Sequence, residues 1–169
     1  MSSPIPENEN LKPSAYHLCH LNVAPAVAYI HDKPMAGFVE NLPRVNQLAY
    51  ESPGFVWHLK VDINNPDDLT MYGEPGMLFN LSVWESVESL WDYTRSPEHT
   101  KMMDRRREWF CEMSTPNYVL WWISKDIRPT LKEAKERLKL LTEIGPNEHA
   151  FTFERRFKPS SNNKIFVSH

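Results

Sequence analysis

Residues 77–99 read MLFNLSVWESVESLWDYTRSPEH, and the fold turns on how this run is read. Met77, Phe79, Leu81 and Val83 alternate with Leu78, Asn80, Ser82 and Trp84, the period of two that sends a strand's side chains to opposite faces. Ser86 then stands as an N-cap before a short helix, Val87 to Thr94. Ser96-Pro97 restarts a helix in the favoured cap and first-turn positions, expected to run to about Phe110.

Upstream, Tyr16 to Val23 reads as a first strand between Pro13 and Pro25. Met35, Phe38, Val39, Leu42, Val45, Leu48 and Ala49 form a helical stripe with Asp32 as its cap. Pro43 sits inside that stripe and is expected to kink or split the helix, since it removes a donor and crowds the preceding turn. After the turn Ser52-Pro53-Gly54, Phe55 to Val61 is the second strand, and the polar run 62–76 is expected to be a surface loop able to lid a pocket. Downstream, Tyr118 to Ile123 is the fourth strand. Thr130 and Glu133 form a capping box for a helix bearing Leu131, Ala134, Leu138 and Leu141, closed by Gly145-Pro146. Residues 149–157 suggest one more short strand. The order is β-α-β-β-α-β plus a C-terminal helix, an α+β, ferredoxin-like sheet with helices on one face. The domain is expected to span 15–157, between tails at 1–14 and 158–169.

Composition narrows the function. The 169 residues are 41% hydrophobic and 24% charged, a globular balance. Nineteen basic and twenty-two acidic residues give a net charge of −3, so no global field attracts nucleic acid or an anionic membrane. Lys101, Arg105, Arg106 and Arg107 read as a solvated helix face beside Asp104 and Glu108. Two distant cysteines, Cys19 and Cys111, indicate neither a disulfide framework nor a zinc knuckle, and a cytoplasmic setting is expected. The chain carries no G-x-S-x-G, P-loop or dinucleotide fingerprint.

Alternation divides the strands into two sets. Cys19, Leu21, Val23, Phe55, Trp57, Leu59, Met77, Phe79, Leu81, Val83, Val119, Trp121 and Ile123 are assigned to the core under the helices. Tyr16, Leu18, His20, Asn22, Val56, His58, Lys60, Leu78, Asn80, Ser82, Trp84, Tyr118, Leu120 and Trp122 fall on the second face. That face is too apolar to lie bare and too polar for a dry core, so it is expected to wall a small-molecule cavity or a subunit interface.

The segments Leu81-Ser82-Val83-Trp84-Glu85-Ser86 and Ser96-Pro97-Glu98-His99 resemble the dimeric α+β barrel superfamily, which includes antibiotic-biosynthesis and haem-degrading monooxygenases. Phe38-Val39-Glu40-Asn41-Leu42, Ser52-Pro53-Gly54-Phe55-Val56-Trp57, Arg105-Arg106-Arg107-Glu108-Trp109-Phe110, Val119-Leu120-Trp121-Trp122 and Arg128-Pro129-Thr130 resemble one branch, the domain of unknown function family 3291. The resemblance implies a homodimeric barrel. By the pattern of its haem-degrading members, Asn22, Trp84 and His99 would correspond to site residues.

His99 shares a helical face with Met102, Met103, Arg106 and Phe110 and is expected to look inward. His20, His58 or His99 is the expected proton acceptor, with Asn22, Asn80 and Ser82 holding a developing oxyanion and Trp84, Trp122 and Tyr118 shaping the substrate. His17 and His20, three apart, point to opposite faces and cannot share a metal, so no metal site is expected. The expectation is a cofactor-independent enzyme of secondary metabolism acting on a hydrophobic, enolisable or phenolic small molecule by isomerisation, cyclisation or oxygenation. A haem-binding or haem-degrading protein and a non-catalytic binding or dimerisation module are the alternatives.

Overall fold

The computed structural model describes residues 15–159; the tail expected at 1–14, and all but the first two residues of that expected at 158–169, lie outside the described residues. Four strands, β1 (Tyr16–Pro25), β2 (Phe55–His58), β3 (Met77–Trp84) and β4 (Tyr118–Ser124), make one antiparallel sheet in the order β2-β3-β1-β4. Six helices accompany them: α1 (Ala36–Glu51), α2 (Pro66–Leu69), α3 (Val87–Thr94), α4 (Pro97–Asp104), α5 (Arg106–Trp109) and α6 (Leu131–Ile144). This is the α+β, ferredoxin-like arrangement with an added C-terminal helix.

The cap residues act as their chemistry dictates. Ser86 Oγ accepts from the Ser89 N–H at 3.1 Å, and Thr130 Oγ1 accepts from the Glu133 N–H at 3.1 Å. Asp32, by contrast, makes no side-chain cap; it precedes a single 3-10 turn, Lys33–Met35. α1 runs unbroken through Pro43, which is exposed, so water can take the carbonyl the proline leaves without a donor. The helix expected over 97–110 is broken instead. α4 ends at Asp104, Arg105 sits at ψ 0, and α5 restarts with a new phase. Met103 and Arg106 therefore face solvent, while His99 and Met102 remain half-buried. The 62–76 run is no plain lid. It contains α2, capped by Asn65, and its Tyr72 is buried, stacked on Phe79 at 5.7 Å.

The two faces of the sheet are covered in the opposite sense to expectation. Cys19, Leu21, Val23, Leu81, Val83, Val119, Trp121 and Ile123 do form one core, but α6 closes it through Ala134, Leu138 and Leu141, with Tyr72 at its side. α1 and α3 lie on the other face, where Leu48, Ala49, Val87, Leu90 and Tyr93 pack on Leu18, Trp84, Leu120 and Trp122. Alternation groups side chains by face but is silent on which helix covers each group. β2 brings a second correction, because a bulge between Phe55 and Trp57 shifts the register. Phe55 joins Trp84 and His58 on the α1/α3 side, and Val56 joins Trp57 and Leu59 on the α6 side.

A short strap finishes the α1/α3 face. Leu120 and Phe151 exchange backbone hydrogen bonds of 2.8 and 2.9 Å, so the expected strand at 149–157 is a single bridge followed by irregular chain. Phe151, Phe153 and Phe157 then pack over this face.

Candidate functional site

Cross-strand pairing sorts the α1/α3 face into rows, and the rows differ in character. The uppermost runs Phe55, Trp84, Leu18, Trp122; the next His58, Ser82, His20, Leu120; the lowest Asn80, Asn22, Tyr118. The upper row is packed shut. Trp84 is 1% exposed, between the ring of Tyr93 stacked on it at 5.1 Å and the edge of Phe55 at 5.4 Å. Its indole N–H donates to Ser82 Oγ at 3.0 Å, and Ser82 is buried with it. Trp122 donates its N–H to the Phe157 carbonyl at 2.7 Å. Ser82, Trp84 and Trp122 are thus core members.

Below them the face opens. His20, Asn22 and Tyr118 are half-buried and Asn80 is exposed. Asn22 and Asn80 are directly opposed across β1 and β3, placing two carboxamides side by side. The Tyr118 ring meets His20 edge-on at 6.0 Å; its hydroxyl donates to Glu154 and accepts from the Phe153 N–H, each at 3.0 Å. Burial pushes that hydroxyl up to about 12, so it stays a phenol and acts as a wall.

α4 carries His99 against Tyr93, the ring stacked on Trp84. Its Nδ1 lies 3.0 Å from the Thr94 carbonyl, which can only accept, so Nδ1 carries the proton and Nε2 keeps its lone pair. The ring sits edge-on to Tyr93 at 4.9 Å. Burial lowers the basicity of His99 against the opposing pull of the Thr94 bond. His20 is pushed down to about 3, first by burial and then by the positive charge His99 would carry. Both imidazoles rest neutral near pH 7.

His58 lies in the row of His20 but two strands over, roughly 10 Å away at the usual strand spacing. Its Nε2 is hydrogen-bonded to the Tyr50 hydroxyl of α1. The structure thus sets Asn22 opposite Asn80 and Tyr118 edge-on to His20, and it places His99 on Tyr93, the ring that covers Trp84. Tyr93 and Thr94, which orient His99, were not singled out in the sequence. Val87, Leu90 and Tyr93, three apart, are the helical spacing that points to Tyr93.

Trp84 is sealed in the core, opposite Leu18, while Asn22 lies four residues further along β1. Among the described residues no three His, Cys, Asp or Glu side chains gather as a metal site, and no helix is long and apolar enough to cross a membrane.

Three solved structures are similar to the chain. A conserved protein from Methanosarcina mazei Go1 is 12% identical with a TM-score of 0.45, covering 66% of this chain and 94% of its own. SnoaB, a cofactor-independent oxygenase from Streptomyces nogalater, is 18% identical with a TM-score of 0.43, covering 70% and 100%. A candidate antibiotic biosynthesis monooxygenase from Chloroflexus aurantiacus J-10-fl is 15% identical with a TM-score of 0.42, covering 68% and 98%. No curated protein matches the sequence. Residues 17–166 match the family described as Domain of unknown function (DUF3291), and the chain belongs to that family.

Proposed function

We propose that the protein is a cofactor-independent enzyme that moves a proton on a hydrophobic, enolisable or phenolic small molecule. The observation that carries this reading is a half-buried His99 whose Nδ1 is held by the Thr94 carbonyl, so that Nε2 is left as a base, together with an aromatic face whose lower rows carry His20 and the opposed Asn22 and Asn80. His99 is the base: Nε2 takes the proton, while the Thr94 carbonyl holds Nδ1–H and steadies the imidazolium that forms. Asn22 and Asn80 donate to the oxyanion left behind. His20, neutral over the physiological range, relays the proton or orients the substrate. The resulting enolate or phenolate has three outcomes: reprotonation at another atom, attack on an internal electrophile, or reaction with dioxygen. These correspond to isomerisation, cyclisation and oxygenation. The same reading has the protein as a homodimer, supported by half-buried Trp57, Leu59, Met77 and Phe79 at the margin of the α6-side core.

Solvent-deuterium uptake by 2-tetralone, a bicyclic ketone with acidic α-hydrogens, tests the proton transfer. Wild-type protein is expected to exceed the buffer rate, and His99→Gln to lose about a hundredfold or more of that excess. Equal rates in the two proteins, or a wild-type rate no higher than buffer, would remove the reading. Haem titration of the same preparation is expected to give no Soret band.

A further inference from the structure

Tyr50 and His58 form a pair that the proton transfer at His99 does not use. Tyr50 stands in the last turn of α1, and the chain turns back into β2 so that the Tyr50 hydroxyl meets His58 Nε2. The Tyr50 ring lies edge-on to Phe55 at 5.4 Å and tilted on the His58 ring at 5.1 Å, which fixes the phenol beside the imidazole. Tyr50 is nevertheless 45% exposed, so a molecule in solution can reach it.

The direction of the hydrogen bond follows from the surroundings of His58. Burial lowers its basicity, a hydrogen bond to the Leu59 backbone acts the other way, and the charge of Lys60 adds to the lowering, so the ring is neutral near pH 7. A backbone bond that favours the charged ring is one that the ring donates. Leu59 therefore takes the nitrogen that bears the proton, and Nε2 accepts from Tyr50. An oxygen nucleophile, an imidazole base within hydrogen-bond reach and a third group that orients the base are the parts that activate a hydroxyl. Tyr29 supplies the contrast. It is 56% exposed and meets the His31 ring edge-on at 5.5 Å, but its hydroxyl makes no hydrogen bond among the described residues.

We propose that Tyr50 is a covalent acceptor site for acyl groups delivered by activated esters, with His58 as its base. Tyr50 Oη attacks the ester carbonyl carbon; the Oη–C bond forms and the bond from that carbon to the leaving oxygen breaks. The Oη proton passes to His58 Nε2 and from there to the departing oxygen, so His58 returns to its neutral state and the acyl group stays on Tyr50. Phe55 offers an apolar surface beside the Tyr50 ring for the body of the ester. The step uses neither His99 nor His20 and stands apart from the proton transfer proposed for them.

Reaction of the full chain with 4-nitrophenyl acetate, read by peptide mass spectrometry, tests the site. Acetylation of Tyr50 is expected to be at least about tenfold faster than that of Tyr29, although Tyr29 is the more exposed. From pH 7 to 8 the Tyr50 rate is expected to change by less than about twofold, because its base is already neutral. An unassisted phenol reacts through its phenolate, so the Tyr29 rate is expected to rise about tenfold over the same unit. His58→Gln, which can still hydrogen-bond the hydroxyl but cannot take its proton, is expected to slow Tyr50 about tenfold or more and to leave Tyr29 within about twofold. Equal rates at the two tyrosines would overturn the proposal, as would a Tyr50 rate that climbs with pH as steeply as that of Tyr29, or a His58→Gln protein acetylated at Tyr50 as fast as wild type. The comparison of pH profiles uses the wild-type chain and so decides the matter even if the variant does not fold.

Discussion

Thr94 fixes the tautomer of His99, and burial sets the pH range in which that histidine can serve. Because its basicity is lowered, deuterium uptake by 2-tetralone is expected to stay level from pH 8 to 7 and to fall only as the pH drops below the ordinary histidine range. A rate that climbs steadily between pH 7 and 8 would place the titrating group elsewhere. His20 ties stability to pH in a definite direction. In the unfolded chain it takes a proton near 6.5, whereas in the folded protein it does so only at about 3. Between those values the unfolded state binds more protons, so stability is full above 6.5 and is lost as the pH falls toward 3. Denaturant midpoints at pH 7 and pH 4.5 should show the loss, and His20→Asn should make it smaller. At this scale the sequence was legible in part. The shared face of His20, Asn22 and Asn80 follows from strand parity and the inward turn of His99 from helical phase, while the opposition of Asn22 to Asn80 is set by the register of β1 on β3. The burial of Ser82, Trp84 and Trp122 could not be read, because alternation assigns a face without saying how tightly it is covered.

Elements end and begin where single residues allow it. Gly54 turns the chain into β2 at φ +84, and a Cβ there would lie 2.4 Å from the Ser89 hydroxyl oxygen of α3. Both the left-handed backbone and the contact oppose any side chain, so Gly54→Ala is expected to cost more than about 1 kcal/mol in urea unfolding. Thr130→Ala removes the cap of α6 and should cost about 1 kcal/mol by the same measurement. Arg137, 3% exposed on α6, is held by Glu133 at 3.0 Å and by the His149 carbonyl at 2.9 Å. Glu133→Ala, leaving that cation buried without its counter-charge, is the costlier change, roughly 3–5 kcal/mol. Element order, the caps at Ser86 and Thr130 and the end at Gly145 could all be read from sequence. The bulge in β2 and the break after Asp104 could not, since neither leaves a glycine or proline to mark it.

The whole molecule is a three-layer arrangement, α1 and α3 over one side of the sheet and α6 over the other. Parity separates the two side-chain sets except at Phe55 and Val56, which the β2 bulge exchanges, and the covers of the two sets are the reverse of those expected, α6 lying on the more apolar face. That reversal has a functional consequence. The aromatic-polar face lies under the chain's own helices, so the proposed site needs no second copy of the chain, and 2-tetralone binding is expected to be independent of protein concentration. The most direct measurement is histidine-selective nitrogen-15 NMR, with and without 2-tetralone. The expected result is His99 neutral at pH 7 with its proton on Nδ1, His20 neutral down to the acid limit of the fold, and both signals shifted by the ketone while that of His58 stays put. A His99 protonated on Nε2, or a ketone that moves His58 and leaves His20 and His99 unchanged, would contradict the proton-transfer site.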